Sequence, residues 1–257
     1  MMKKLTILFL LASAVMMAAC SDDDSFSTST GNLLSFSTDT LRLDTTFSNV
    51  PTPTKTFWVY NNSGDGLRLA NVRLAQGNQT GFRVNVDGIS LDASNGYQAN
   101  NLEVRNKDSI RVFVEMTSPI NSATTPQQIT DNLIFTLKSG VQQKVNLNVY
   151  SWDAELLKGL NVTTNTTLTG SKPIVLQDTL KVTAGATLTI PAGTILYFSN
   201  KAAIDVHGTL RCEGTADNPV TLRGDRLDWM FSYLPYDRVS GQWRGIHFHK
   251  DSYDNSL

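Results

Sequence analysis

The C-terminal third of the chain writes the same short apolar words about every two dozen residues, with no room for a helix between them. Leu180/Val182 recur as Ile204/Val206, an offset of 24. Leu188/Ile190 recur as Leu210/Cys212 at 22, and Leu196/Phe198 as Val220/Leu222 at 24. Three strands per circuit at that period predict a right-handed parallel β-helix, because the chain advances one strand spacing, about 4.8 Å, per turn. Alternate apolar residues would fill the interior, and like positions would pile into ladders. Ile204 to Ile246 spans 42 residues; removing the 18 of Gly224–Gly241 restores 24, so that segment reads as an insertion after which a third coil begins at "GIHFH".

Ahead of the repeat, residues 33–150 alternate as short strands: "FWVY", "FRVNV", "SIRVFVE" and "KVNLNVY". Turn chemistry separates them, and "KSG" at Lys138–Gly140 reads as a hairpin. About eight such strands predict an Ig-like sandwich, without the Cys…Trp…Cys signature of antibody domains. "SWDAELLKGLN", Ser151–Asn161, has the cap, leucines and terminal glycine of a helix, so a helical linker and lead-in is expected over 151–170. The partial β-helix then occupies 171–257. The fold class expected is all-β, an Ig-like β-sandwich followed by a truncated right-handed parallel β-helix.

The N-terminus constrains location. Lys3 and Lys4 precede an apolar run from Leu5 to Val15, too short to span a bilayer and suited to a cleaved export signal over 1–19. "MAAC", Met17–Cys20, resembles a lipobox, which implies a diacylglycerol-bearing Cys20 with acyl chains such as palmitate. "SDDDS" after it resembles the surface-export signal of lipoproteins in gut-type Gram-negative anaerobes, and residues 20–32 read as a flexible tether. These features predict a signal peptide, lipid anchoring to the outer membrane and exposure at the cell surface. Without Lys3 and Lys4 the chain carries 20 basic and 23 acidic residues, a net charge of −3, which argues against nucleic acid as a partner. Cys212 would lack an intrachain partner and reads as a small core residue, so no disulfide supports the fold.

The motifs "GTLRCEGTADNP", "RGDRLD", "YLPYDR" and "GQWRGI" resemble a family of right-handed β-helix surface lipoproteins from gut anaerobes, itself functionally uncharacterised. The likeness runs from about Trp152 onward. It implies several more coils than this chain carries, so the sequence reads as a fragment or a prematurely terminated form.

Two groups of residues are candidates for binding. If the ladders hold, His247 lies over Asp205 and His249 over His207 on an outer face, with Lys181 below Asp205. That set reads either as a weak zinc or copper site or, more simply, as a solvated charge ladder. In the insertion, Trp229, Phe231, Tyr233 and Tyr236 stand among Asp225, Arg226, Asp228, Asp237 and Arg238. Such a set either folds down to cover the coil, with aromatics buried and Asp–Arg pairs at the rim, or contacts a glycan or protein partner. Acid–base catalysis would draw on Asp205, Glu213, His207 and Lys181, which show no clustered carboxylate pair. No cofactor is called for. The expected function is therefore a non-enzymatic surface lipoprotein that binds glycans or envelope partners, or serves as a scaffold. The alternative is a polysaccharide lyase or hydrolase completed by further coils. "DTL", "DTT" and "DSI" also resemble a bacterial O-glycosylation signal, at Asp39, Asp44, Asp108 and Asp178.

Overall fold

A computed structural model describes residues 25–257, so Cys20, the leader and the start of the tether lie outside the described residues. The fold is all-β: the described residues hold no α-helix, and their helical turns are the 3-10 segments Ala93–Asn95 and Tyr236–Arg238.

The first unit is a sandwich of two sheets, as the strand count predicts. One sheet joins Thr40–Phe47, Gln142–Trp152, Gln127–Leu137, Gly66–Leu74 and Gln98–Val104. The other joins Ser35–Phe36, Lys55–Tyr60, Ser109–Met116, Phe82–Val86 and Ile89–Ser90. Pairing is antiparallel except where Thr40–Phe47 lies parallel to Gln142–Trp152 and Phe26–Ser27 lies parallel to Gly66–Leu67. Period-two alternation sends Phe57, Val59, Val112, Val114, Leu133, Phe135, Val145 and Leu147 into one core between the sheets. The Lys138–Gly140 turn is the expected hairpin, with Gly140 in the left-handed region at φ 88°. The tether is shorter than expected: Phe26 enters the sheet, and the Arg68 guanidinium lies 4.2 Å from its ring centre.

The expected helix at Ser151–Asn161 does not form. Ser151 and Trp152 complete a sandwich strand, and Glu155–Leu157 and Leu160–Val162 are already strands of the next unit. Helix propensity is worth only tenths of a kcal/mol per residue, and burial in a ladder outweighs it. The winding therefore starts at Glu155 rather than 171, a full circuit earlier than the spacing suggested.

From there the chain climbs through three parallel ladders. The first stacks Glu155–Leu157, Ile174–Leu176, Ile195–Phe198 and Thr221–Gly224. The second stacks Leu160–Val162, Leu180–Val182, Ile204–Val206 and Ile246–Phe248. The third stacks Thr166–Thr167, Thr187–Pro191 and Thr209–Glu213. Val182 pairs with Val206 and Ile190 with Cys212, as the offsets predict. One register differs: Leu196 lies under Leu222, not Val220. The turn at Thr215–Asn218, closed by hydrogen bonds between those two residues, lies in a connection four residues longer than the one below it, two more than the spacing suggested. A shift of two preserves which side chains face inward, so the core is unaffected. Leu180, Val182, Leu188, Ile190, Leu196, Phe198, Ile204, Val206 and Leu210 fill it. Cys212 is only partly buried at its edge.

The two units meet without a linker, through Asp153 and Ala154. Phe47 of the sandwich packs with Trp152, Val175 and Tyr197, and the last two stand on the outer side of the first ladder. Asp153 sits between the units. It accepts hydrogen bonds from the backbone N–H groups of Asn121 and Ser122 and pairs with Lys172 at 3.1 Å. Those interactions, the Asn121 N–H foremost, hold its carboxyl down at about 2 despite burial.

Candidate functional site

The insertion leaves the coil after Gly224 and returns at Ile246, where the three preceding circuits cross in a few residues. Its base is polar and tightly tied. Asp225 accepts a hydrogen bond from Ser199 Oγ at 2.5 Å, and its own backbone N–H donates to the Phe198 carbonyl. Burial raises the Asp225 carboxyl, an effect that the serine hydrogen bond opposes. Arg226 forms a bidentate pair with Asp228, both contacts at 2.6 Å, and lies 3.8 Å from the Tyr236 ring centre. Asp228 is 4% exposed. Leu227 packs on the cluster formed by Phe47, Trp152 and Tyr197, so the base of the insertion is wedged where sandwich and coil meet.

Above this base stands a short hairpin. Trp229–Phe231 pairs antiparallel with Leu234–Pro235. Trp229, Met230 and Phe231 are about half exposed, and Tyr233 at the tip is 76% exposed. Phe231 and Tyr233 stack nearly parallel, with ring centres 5.6 Å apart. The arrangement reverses the flank-covering expectation: the Asp–Arg pair is the anchored part and the aromatic side chains face solvent. It also divides the predicted set. Trp229, Phe231 and Tyr233 form the outer surface, whereas Asp225, Arg226 and Tyr236 are engaged in supporting it. Desolvating an Asp–Arg pair is tolerable where each partner satisfies the other, and the coil supplies a rigid floor. Trp243, just past the insertion, stacks on Phe198 at 4.1 Å as the chain re-enters the coil.

The histidines share one outer face. His247 lies over Asp205 in register, with its Nδ1 3.0 Å from the carboxylate, and Lys181 occupies the position below. His249 stacks on His207 at 4.0 Å with the rings 9° from parallel. His207 Nδ1 contacts Asp251 at 3.0 Å, a partner that the ladder spacing did not suggest. Asp251 begins a segment that closes over the third ladder: Ser256 bridges to Arg211, and Thr209 Oγ1 donates to the Tyr253 carbonyl. The histidines are thus drawn to two separate carboxylates. Among the described residues no group of three His, Cys, Asp or Glu side chains is arranged to hold a metal ion, and the geometry is that of a charge ladder. Glu213 stands in the third ladder while Asp205 and Lys181 stand in the second, so the set considered for acid–base chemistry is split between faces.

No protein family matches the sequence, and no curated protein matches it. Solved structures show faint likenesses. The VesB protease of Vibrio cholerae is 15% identical with a TM-score of 0.29, over 47% of this chain and 32% of its own. A family 123 glycoside hydrolase from Clostridium perfringens is 8% identical with a TM-score of 0.32, over 52% and 29%. The chain thus spans about a third of the length of these two. The CooA pilin subunit of enterotoxigenic Escherichia coli is 12% identical with a TM-score of 0.29, over 47% of this chain and 97% of its own.

Proposed function

We propose that the protein is a non-enzymatic surface lipoprotein, anchored through Cys20, that presents the hairpin of residues 229–235 to a glycan-bearing partner in the envelope or on a host. The observation that carries this reading is the exposure of Trp229, Met230, Phe231 and Tyr233 together on an element whose base is fixed. Exposed aromatic and methionine side chains grouped in this way are uncommon on a surface without a partner. Rigid aromatic anchors lose little conformational entropy when they bind, and their faces stack on sugar rings. The sandwich, joined to the coil by a packed junction, serves as a spacer that holds the hairpin away from the lipid.

A glycan array and a reducing-sugar release assay test the proposal together. Binding to at least one glycan that disappears in the Phe231→Ala/Tyr233→Ala variant, with no sugar released, is the expected result. Release of reducing ends from any polysaccharide would replace it with the enzymatic alternative.

A further inference from the structure

A second aromatic surface lies on the sandwich, on the outward face of the sheet containing Lys55–Tyr60, Ser109–Met116 and Phe82–Val86. Register places Trp58 opposite Arg111, and Phe113 between Thr56 and Asn85. Arg111 and Phe113 are two residues apart on one strand, so they share a face. Trp58 is 39% exposed and Phe113 36%. The Arg111 guanidinium carbon lies 5.2 Å from the Trp58 ring centre and 5.0 Å from that of Phe113, so the ring centres are at most 10.2 Å apart.

The polar groups fit the same ligand. The Arg111 side chain bonds the hydroxyl of Thr56 at 3.2 Å rather than a carboxylate, and an arginine over aromatic faces keeps most of its five donors for other acceptors. Next along the face, Arg83 and Glu115 form an exposed pair at 3.0 Å. Both line a cleft of about 590 Å³, together with Phe113 and Tyr97. A cation without a carboxylate partner among the described residues, set between two aromatic platforms and beside an open cleft, is complementary to an anionic chain of planar-faced rings. Its bidentate donors match a carboxylate better than a neutral hydroxyl.

We propose that this sheet face binds an acidic polysaccharide, with Trp58 and Phe113 stacking on sugar rings and Arg111 pairing with the carboxylate of a uronic acid residue. The site is separate from the hairpin of residues 229–235 and does not depend on it.

The test is native gel electrophoresis of the full-length chain in detergent, with polygalacturonate, a neutral glucan or dextran sulfate in the gel. Polygalacturonate is expected to retard the protein. Trp58→Ala and Phe113→Ala should each weaken that retardation at least tenfold, and Arg111→Gln should remove the preference for polygalacturonate over the glucan. All three side chains are exposed, and unchanged thermal melting by circular dichroism confirms that each variant is folded. Phe231→Ala/Tyr233→Ala should leave the retardation intact. The proposal is overturned if polygalacturonate has no effect, or if the three sheet variants are retarded like the parent. It is overturned equally if dextran sulfate retards parent and Arg111→Gln alike and as strongly as polygalacturonate, the mark of nonspecific charge. Loss of retardation only in the hairpin variant would also overturn it, while leaving the function proposed for the hairpin standing.

Discussion

The ring of Phe47, at the end of a sandwich strand, meets the ring of Tyr197, on the outer side of the coil, edge to face at 4.8 Å and 70°. Phe47 meets Trp152 in the same way at 4.7 Å. One fully buried phenylalanine therefore ties two units whose cores are otherwise separate.

Phe47→Ala should cost about 3–5 kcal/mol, as large-to-small changes at buried aromatics do. Because the residue joins two cores, the loss should appear as uncoupling as well as destabilisation. Urea unfolding followed by fluorescence is expected to change from one transition to two, with proteolysis newly directed to Asp153–Ala154. A single transition with an unchanged midpoint would show that the junction is not coupling the units.

The Asp153 clamp predicts a dependence on acid. Its carboxyl titrates at about 2 when folded and at 3.8 when free, the backbone N–H of Asn121 being the main cause. A folded value below the unfolded one means that the stabilisation is complete above about pH 4 and is lost as pH falls toward 2. Asp153→Asn should lower the urea midpoint at pH 6 and flatten its fall between pH 5 and 2 relative to the parent.

Gly208 lies where the third circuit crosses close above the second. A Cβ there would collide with the carbonyl oxygens of Ala186 and Thr183. Backbone oxygens cannot move aside without parting the ladders. Gly208→Ala should therefore destabilise by about 1–3 kcal/mol or more, read as a lower melting temperature. Gly185, whose Cβ would meet nothing, is a poor control because its φ is 81°.

The hairpin and its base should respond in opposite ways. Trp229→Ala and Tyr233→Ala should change stability by no more than about 0.5 kcal/mol, as is usual for exposed positions, while reducing partner binding. Arg226→Ala leaves the carboxylate of Asp228 buried without its cation. It should destabilise by up to about 3 kcal/mol, discounted because Arg226 itself is a third exposed. Melting curves and binding measured on the same four proteins would expose any failure of this division.

Cys212 should be slow to react. Burial pushes its thiol above the ordinary value, so the reactive thiolate is scarce at neutral pH. Alkylation by iodoacetamide at pH 7.5 is expected to run at least tenfold slower in the folded protein than in urea.

Much of the coil is legible in the sequence because period-two alternation records which way each side chain points from its strand. Val206 over Val182, Leu210 over Leu188 and His247 over Asp205 all follow from counting residues. Counting fails where a turn changes length, as at Thr215–Asn218, which moves Leu222 rather than Val220 above Leu196. It fails again at Ser151–Asn161, where helix-favouring residues are recruited into ladders that their local preference does not reveal. The hairpin's composition marks Trp229, Phe231 and Tyr233 for binding or burial alike. Their exposure depends on Asp228 being drawn inward to Arg226, which composition does not encode.

What the sequence determined by itself is the direction of each side chain within a strand and the vertical order of the strands, since both depend on neighbours at regular spacing. What only the tertiary structure decided is which outward-facing column is covered. Val175 and Tyr197 point away from the coil's interior, yet they are buried because Phe47 and Trp152 pack over them. That contact joins residues some 150 positions apart. No local period carries information over such a distance; the burial arises only when two finished surfaces meet.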